Sequence, residues 1–468
     1  MGYALSAERG AGLSIKIQIK IKEEFTMKKA WKRVAAGMLA TVMAASLAAC
    51  GSKGSGTETT KAPETTGAAG GAAAAGTLKV LMPEEPGAEN SLNNALKAWS
   101  EETGNQIDMI IISHDDQLTK FPAMAKNKDL PDIIATTRLH QLYPEEFMDM
   151  AQVVDLSLFE DSALKIVGKD YKSDKISGLP RQFTTTCMYY NEDAFAAAGV
   201  EAPTLDNPWT WDELYENAAK IQAGGTVKYG FAADVSRARY DILMYANGGS
   251  LVEKDGDTFK VNVNNPVNVA TLEKFVAANE SGVMPKAIWA GGSTDNPVEY
   301  FKNGDAAILL SGSWNYNSLT TDVSKFKFGV MPTPKGSASQ AAIIGGEALA
   351  IPENAAGKDL AVEFVKWFYD EKNFKNYIQE DKGLSSLKSV IYEPADEKAA
   401  ADFKILQNEV SYVTDSFMVD ESSAWRTYKD NEYRDYIKRA VSGEITAKEA
   451  LDAFTKELAE SSGWTTTQ

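Results

Sequence analysis

Histidine and cysteine are almost absent. The 468 residues contain two of each: His114, His140, Cys50 and Cys187. Two histidines are too few for a His-based metal site, and no HExxH, CxxC or P-loop spacing occurs. No Gly-x-Ser-x-Gly nucleophile elbow occurs either. The Gly-rich run from Gly67 to Gly76 has no strand before it, so it does not read as a phosphate loop. No cofactor and no metal is therefore expected. Carboxylates abound, so a glycosidase-type pair stays open, without positive support.

Positive charge is also scarce. The chain has 48 Lys and Arg against 65 Asp and Glu, a net of −17. The first 49 residues hold 8 basic and 3 acidic side chains, a net of +5, so the remainder stands at −17 − 5 = −22. Such a surface repels phosphate backbones, which excludes nucleic acid as a natural partner. It equally disfavours electrostatic docking on a membrane. Long apolar runs are missing as well. The one at Val34–Ala49 is too short and too Ala-rich for a membrane-spanning helix.

That run carries the first positive signal. Lys28, Lys29, Lys32 and Arg33 precede it, and Leu47-Ala48-Ala49-Cys50 closes it. A basic flank, a short apolar segment and small residues at a cut site describe a secretory signal. Leu-Ala-Ala-Cys resembles the lipobox of bacterial lipoproteins, which implies that Cys50 is acylated and becomes the mature N-terminus. Residues 27–49 are then the signal peptide. Residues 1–26 read as a leader before the true start at Met27, because Lys22-Glu23-Glu24 fits a purine-rich ribosome-binding stretch in the gene. Residues 50–76 combine the lipidated Cys50 with a Gly/Ser/Thr/Ala tether free of aromatic and large aliphatic side chains. Cys187 then has no partner, and in Thr186-Cys187-Met188-Tyr189-Tyr190 it reads as a small buried hydrophobe.

The folded body begins at Thr77-Leu78-Lys79-Val80-Leu81-Met82, an alternating strand. Ser91–Thr103 predicts an amphipathic helix with Leu92, Ala95, Leu96 and Trp99 on one face, stopped by Gly104. A strand at Gln106–Ile112, a helix near Asp116–Lys126 and a buried strand at Ile133-Ile134-Ala135 follow. This alternation predicts an α/β fold with a largely parallel sheet, and such sheets bind ligands beyond the carboxyl ends of their strands. Further strands are expected at Thr184–Tyr190, Asp305–Leu310, Phe326–Pro332 and Ala341–Pro352. Thr210 with Glu213 predicts a capping box. The mature length suits two domains rather than one.

Aromatic and Arg-rich clusters fall at strand ends and in loops: Arg181-Gln182-Phe183, Arg237-Ala238-Arg239-Tyr240-Asp241, Trp289, Trp314-Asn315-Tyr316 and Trp425-Arg426. Flat rings stack on sugar faces, and planar polar groups meet hydroxyls in the ring plane. Trp99, Trp209, Trp211 and Trp367 sit in helical patterns and read as core. Trp314 follows Gly312 at the end of an apolar strand and reads as cleft-facing. Trp289 and Trp425 fit core and cleft equally. Arg138, Arg181, Arg237 and Arg426 leave both a neutral and an acidic sugar open, since guanidinium forks pair with carboxylates but also with hydroxyls.

Several stretches together resemble one family. Leu130-Pro131-Asp132-Ile133-Ile134, Gly178-Leu179-Pro180 with Met188-Tyr189-Tyr190-Asn191, Thr210-Trp211-Asp212-Glu213-Leu214, Phe301-Lys302-Asn303-Gly304-Asp305 with Gly312-Ser313-Trp314, and Gly345-Gly346-Glu347-Ala348-Leu349 occur in its order. The chain resembles the solute-binding proteins of bacterial ABC importers, in the carbohydrate-binding group that includes maltose-binding protein. The resemblance implies a two-lobe periplasmic-binding-protein-like fold with a hinge and a ligand cleft between the lobes. It places lobe 1 at 77–183 plus 346–387 and lobe 2 at 184–345 plus 388–462, with crossovers near 183–185, 343–346 and 387–388. It nominates Trp314 as a sugar platform, although Ser313 replaces the family's Pro. It also nominates Glu84 and Glu85, Thr137 and Arg138, Arg181 and Gln182, and Arg237, Tyr240 and Asp241. Trp289, Asn315, Glu347 and Trp425 complete the candidate ligand-binding set. The implied role is capture of a carbohydrate outside the cell for membrane permease subunits, by a lipid-anchored monomer that is not an enzyme. A cell-surface carbohydrate-active enzyme and a sugar sensor are the alternatives.

Overall fold

The computed structural model describes residues 76–83, 90–169, 173–290 and 296–467. Cys50, the signal segment, the tether up to residue 75, Glu84 and Glu85 lie outside the described residues. Helix Ser91–Thr103 is capped by Asn90, whose side chain accepts from the Asn93 amide, and it ends on Gly104 at φ 78°. Leu92, Ala95, Leu96 and Trp99 form its buried face, the i, i+3, i+4 stripe of an amphipathic helix. Helix Trp211–Ala223 opens on the Thr210/Glu213 capping box.

The strands are β1 (Thr77–Met82), β2 (Gln106–Ile111), β3 (Ile133–Thr136), β4 (Leu179–Asn191), β5 (Tyr229–Ala233), β6 (Val252–Asp255), β7 (Thr258–Val261), β8 (Ala306–Gly312), β9 (Phe328–Met331), β10 (Ile344–Ala350) and β11 (Thr465–Thr466). The main sheet runs β2-β1-β3-β10-β4-β8-β5, with β9 also paired to β4, while β6, β7 and β11 form a small separate sheet. β1 is parallel to β2 and β3, and β5 is parallel to β8. β10 and β4 run antiparallel to their neighbours. The sheet is therefore mixed rather than largely parallel. Its β1–β3 end is built from strand–helix–strand units, its β5–β8 end joins two parallel strands across several helices and the β6/β7 hairpin, and β10 and β4 link the two ends.

β4 is the strand both ends share. Its first part, Leu179 to Thr185, pairs with β10, and its last part, Thr186 to Asn191, lies between β8 and β9. At the changeover Phe183 faces Gly346 of β10 and bridges to Leu384, so three chain segments run side by side. Cys187 is a buried free thiol in the core. Among the described residues no helix is long and apolar enough to cross a membrane.

One buried carboxyl ties a helix to this sheet. Glu409 ends helix Glu397–Glu409. It accepts from the Thr333 amide at 3.0 Å and from Thr333 Oγ1 at 2.6 Å, just past β9. Burial outweighs these hydrogen bonds and pushes the carboxyl up to about 7. The fold therefore holds this proton more tightly than the unfolded chain does. Its contribution to stability is complete below about pH 4.5 and is lost as the pH rises through about 7. Glu409→Gln keeps an acceptor for the Thr333 amide and removes the titration. Urea denaturation between about pH 5 and pH 8 is expected to show a flatter stability profile for this variant, with the gain at the alkaline end. An unchanged slope would show that other groups set it.

Candidate functional site

Chain segments that leave the carboxyl ends of the strands meet around one cavity of about 630 Å³, within the range of small-molecule sites. Pro83 follows β1, His114 follows β2, Thr137 and Arg138 follow β3, Ser236 follows β5 and Trp314 follows β8, and all six line it. This is where open α/β sheets place ligands. The changeover from β4 to β10 forms the floor, through Arg181, Gln182, Gly345, Gly346 and Glu347.

The floor is held by a buried ion cluster. Arg181 Nε donates to Glu347 Oε1, and its Nη1 donates to the Tyr377 hydroxyl at 2.8 Å. His114 Nε2 lies 3.1 Å from Glu347 Oε2. Burial alone would raise the Glu347 carboxyl, but the Arg181 charge and the His114 hydrogen bond outweigh it and hold it at about 2. Asp381 accepts from Ser91 Oγ at 2.7 Å. Its carboxyl is pushed up by burial, against the pull of Arg181.

Trp314 supplies the flat surface. Its ring lies over Gly312, where a Cβ would come within 1.7 Å of Trp314 Cζ3. Glycine is thus required at 312 for the ring to lie there. The ring is 40 % exposed, and the Arg239 guanidinium carbon sits 4.7 Å from its centre, a cation–π contact. Asp234 lies 3.8 Å from Arg239 Nε and accepts from Ser311 Oγ, which in turn accepts from Asn315 Nδ2 at 2.7 Å. This chain of contacts orients Arg239 and Asn315 beside the ring.

Two further contacts tie opposite rims of the cleft. Asn317 Nδ2 donates to the Glu380 carbonyl at 2.8 Å, and Lys382 Nζ donates to Thr320 Oγ1 at 2.7 Å. The helix Asn315–Asp322 packs on β8 and the helix Glu371–Asp381 packs on Ser91–Thr103, so the contacts link the two ends of the main sheet.

The structure brings Thr137, Arg138, Arg181, Gln182, Trp314, Asn315 and Glu347 to the cavity wall. It does not bring Tyr240, Asp241, Trp289 or Trp425 there, and their expected place in the cleft is corrected. Tyr240 is fully buried, edge-on to Phe275 and Tyr433. Asp241 is fully buried beside it in sequence. Trp289 packs edge-on against Phe275 and donates its Nε1 to the Ala233 carbonyl. Trp425 packs against Tyr433 and Phe454. These rings fill one apolar cluster under the helices, where their large area is worth more than at a wet wall. Arg237 begins the helix Arg237–Ala246, and its side chain lies outside the described residues. Residues not singled out for the site also line the cavity, notably His114, Arg239, Asp381 and Arg434.

Residues 84–373 match the family model described as bacterial extracellular solute-binding protein. The galactooligosaccharide-binding protein of Bacillus subtilis (strain 168) is 23% identical over 382 residues, covering 79% of this chain and 84% of its own. The sn-glycerol-3-phosphate-binding periplasmic protein UgpB of Shigella dysenteriae is 30% identical over 214 residues, 43% of this chain and 46% of its own. Among solved structures, maltose-bound MalE3 of T. maritima superposes with a TM-score of 0.68 at 19% identity, over 82% of this chain and all of that one. A mannotriose-bound protein superposes at 0.64 and 20% identity, over 82% of this chain and 99% of its own. These likenesses establish the two-lobe fold.

Proposed function

Because the chain belongs to the bacterial extracellular solute-binding proteins, we propose that it captures a sugar or oligosaccharide outside the cell and delivers it to the membrane permease of an ABC importer. The observation that carries this reading is the half-exposed Trp314 ring facing a polar cavity at the strand ends. An aromatic plate with hydroxyl-matching groups around it suits a sugar ring better than an apolar or purely ionic solute.

In this reading the lobes are 77–183 plus 346–387 and 184–345 plus 388–462. The hinge is the place where β4, β10 and the 384–388 segment run together. Closure forms the rim contacts of Asn317 and Lys382, and binding is the whole of the chemistry. The chain works as a monomer held at the outer face of the membrane by acylated Cys50. The tether lets the cleft reach the permease. The saccharide-binding relative from Bacillus subtilis supports the ligand class.

A thermal-shift screen over saccharides tests the ligand class, since a solute that prefers the folded chain raises the melting temperature. Trp314→Ala is then expected to weaken binding of the best saccharide about 10- to 100-fold. The ligand-free melting temperature should change little, because the ring stands half-exposed at the cavity wall and not in the core. Unchanged affinity would show that the platform is elsewhere.

A further inference from the structure

We infer that the cleft continues into a second subsite, so that the ligand is an oligosaccharide with rings in two adjoining cavities and not a single small sugar. This deepens the saccharide-binding reading above and rests on it.

The second subsite is a cavity of about 270 Å³. Arg138 and Arg426 line it and the main cavity alike, so the two spaces adjoin at these side chains. Small-molecule sites run from about 300 to 1,000 Å³. The smaller cavity falls below that range alone, whereas the two cavities together stay inside it. It therefore fits an extension of the main site better than a separate one. It also has the same two-sided build. Its lining comes from residues 118–143 and from residues 426–432, which belong to different lobes in the division proposed above.

Its chemistry suits a sugar ring. Leu118, Leu142 and Tyr143 give apolar surface, while Thr427 and Glu432 give polar surface. A sugar ring has an apolar face and a rim of hydroxyls, so it needs both kinds. The half-buried Tyr143 has its ring centre 5.1 Å from that of Phe121. With Leu118 it packs on the small core that holds Phe121 and Phe147. The apolar side is thus fixed by packing and not by the ligand. On the polar side, Thr427 Oγ1 donates to the Ala424 carbonyl at 2.8 Å, and its oxygen keeps the capacity to accept. Glu432 Oε1 accepts from Lys429 Nζ at 3.3 Å, and a carboxylate takes more than one donor.

The backbone is shaped to present this polar pair. In a regular helix two residues five apart point roughly 140° away from each other. Thr427 and Glu432 are so spaced in the helix Arg426–Ser442, yet both line this cavity. The helix is broken between them at Lys429, where φ is −151° and ψ is 58°. Just before the helix, Ala424 stands at φ 53°, a left-handed conformation uncommon for a residue with a Cβ. Such departures cost energy, persist only where the surrounding structure holds them, and cluster at ligand sites. Here two of them flank Arg426 and Thr427.

Calorimetry on the chain tests this with three graded series: maltose to maltohexaose, β-1,4-galactobiose to galactohexaose, and β-1,4-mannobiose to mannohexaose. In the series that binds, affinity is expected to rise at least ~10-fold from the dimer to the longest member. Thr427→Tyr puts a ring into the second cavity and is expected to cut that gain to about threefold or less. Where Thr427→Tyr fails to fold, Tyr143→Leu decides instead. It keeps an apolar contact for Phe121, removes the flat face, and is expected to cut the gain to the same extent. Equal affinity along the series, or a full gain in the folded variant, overturns the second subsite and leaves the saccharide reading standing. Binding of no member of any series overturns the subsite and the saccharide reading together.

Discussion

Arg181→Met is expected to destabilise the fold by about 3–5 kcal/mol at neutral pH, because it strands a buried carboxylate. Arg181 and Glu347 are 8 % and 3 % exposed, and the Arg181 charge is the main force that holds Glu347 ionised against burial. Asp381 loses the same counter-charge. The pH profile identifies the cause. In the native protein the Glu347 carboxyl sits at about 2, below its ordinary 4.5. Its contribution to stability is complete above about pH 4.5 and is lost as the pH falls toward 2. Without Arg181, burial dominates and the carboxyl rises above its ordinary value. The sign then reverses, and the variant loses stability as the pH rises. Urea denaturation should show the deficit largest near neutral pH and smaller in acid. Arg181→Met with Glu347→Leu should recover part of the loss, since an apolar pair carries no desolvation cost. A deficit under about 1 kcal/mol, or one independent of pH, would show that the pair is solvated and not buried as described.

Local elements were legible because their signals are local. The stripe of helix Ser91–Thr103 and the Thr210/Glu213 box each depend on residues a few positions apart. Trp314 was legible for a related reason: a glycine two residues earlier, at the end of an apolar strand, leaves room for a ring. Tyr240 was not, because one step of helix phase separates it from Arg239. Side chains at neighbouring positions point about 100° apart, so the cluster of Arg237 to Asp241 contains both wall and core. Trp289 and Trp425 show the limit of composition. A buried ring and a binding ring are the same residue, and only the neighbours decide between them. His114 meets Glu347 across 233 positions of chain. Nothing local to His114 announces that partner; its place just after β2 points only to the ligand-binding end of the sheet.

Gly346→Ala is expected to cost about 3 kcal/mol or more and to abolish ligand binding, whereas Gly345→Ala should stay within about 1 kcal/mol of the native chain. The two glycines are adjacent and look equivalent as hinge candidates, yet their surroundings differ. At Gly346 a Cβ would lie 1.9 Å from the Gln182 carbonyl oxygen, with φ at +158°. That neighbour is backbone of the paired strand and cannot rotate away. At Gly345 the nearest atom to a Cβ is Thr184 Oγ1 at 3.8 Å, an ordinary contact. Relieving the clash at Gly346 requires β10 to part from β4 where Gly346 faces Phe183 and Glu347 faces Gln182. That pairing aims Glu347 at Arg181 and Gln182 into the cavity, so the damage passes from backbone to binding site without any substitution of a wall side chain. Denaturation midpoints and calorimetry on the two variants measure both effects. If Gly346→Ala kept native stability and affinity, β10 would have to lie farther from β4 than the register places it. If Gly345→Ala proved equally damaging, the requirement would be for freedom of rotation at both positions, and the hinge would span the pair rather than turn beside a single fixed contact.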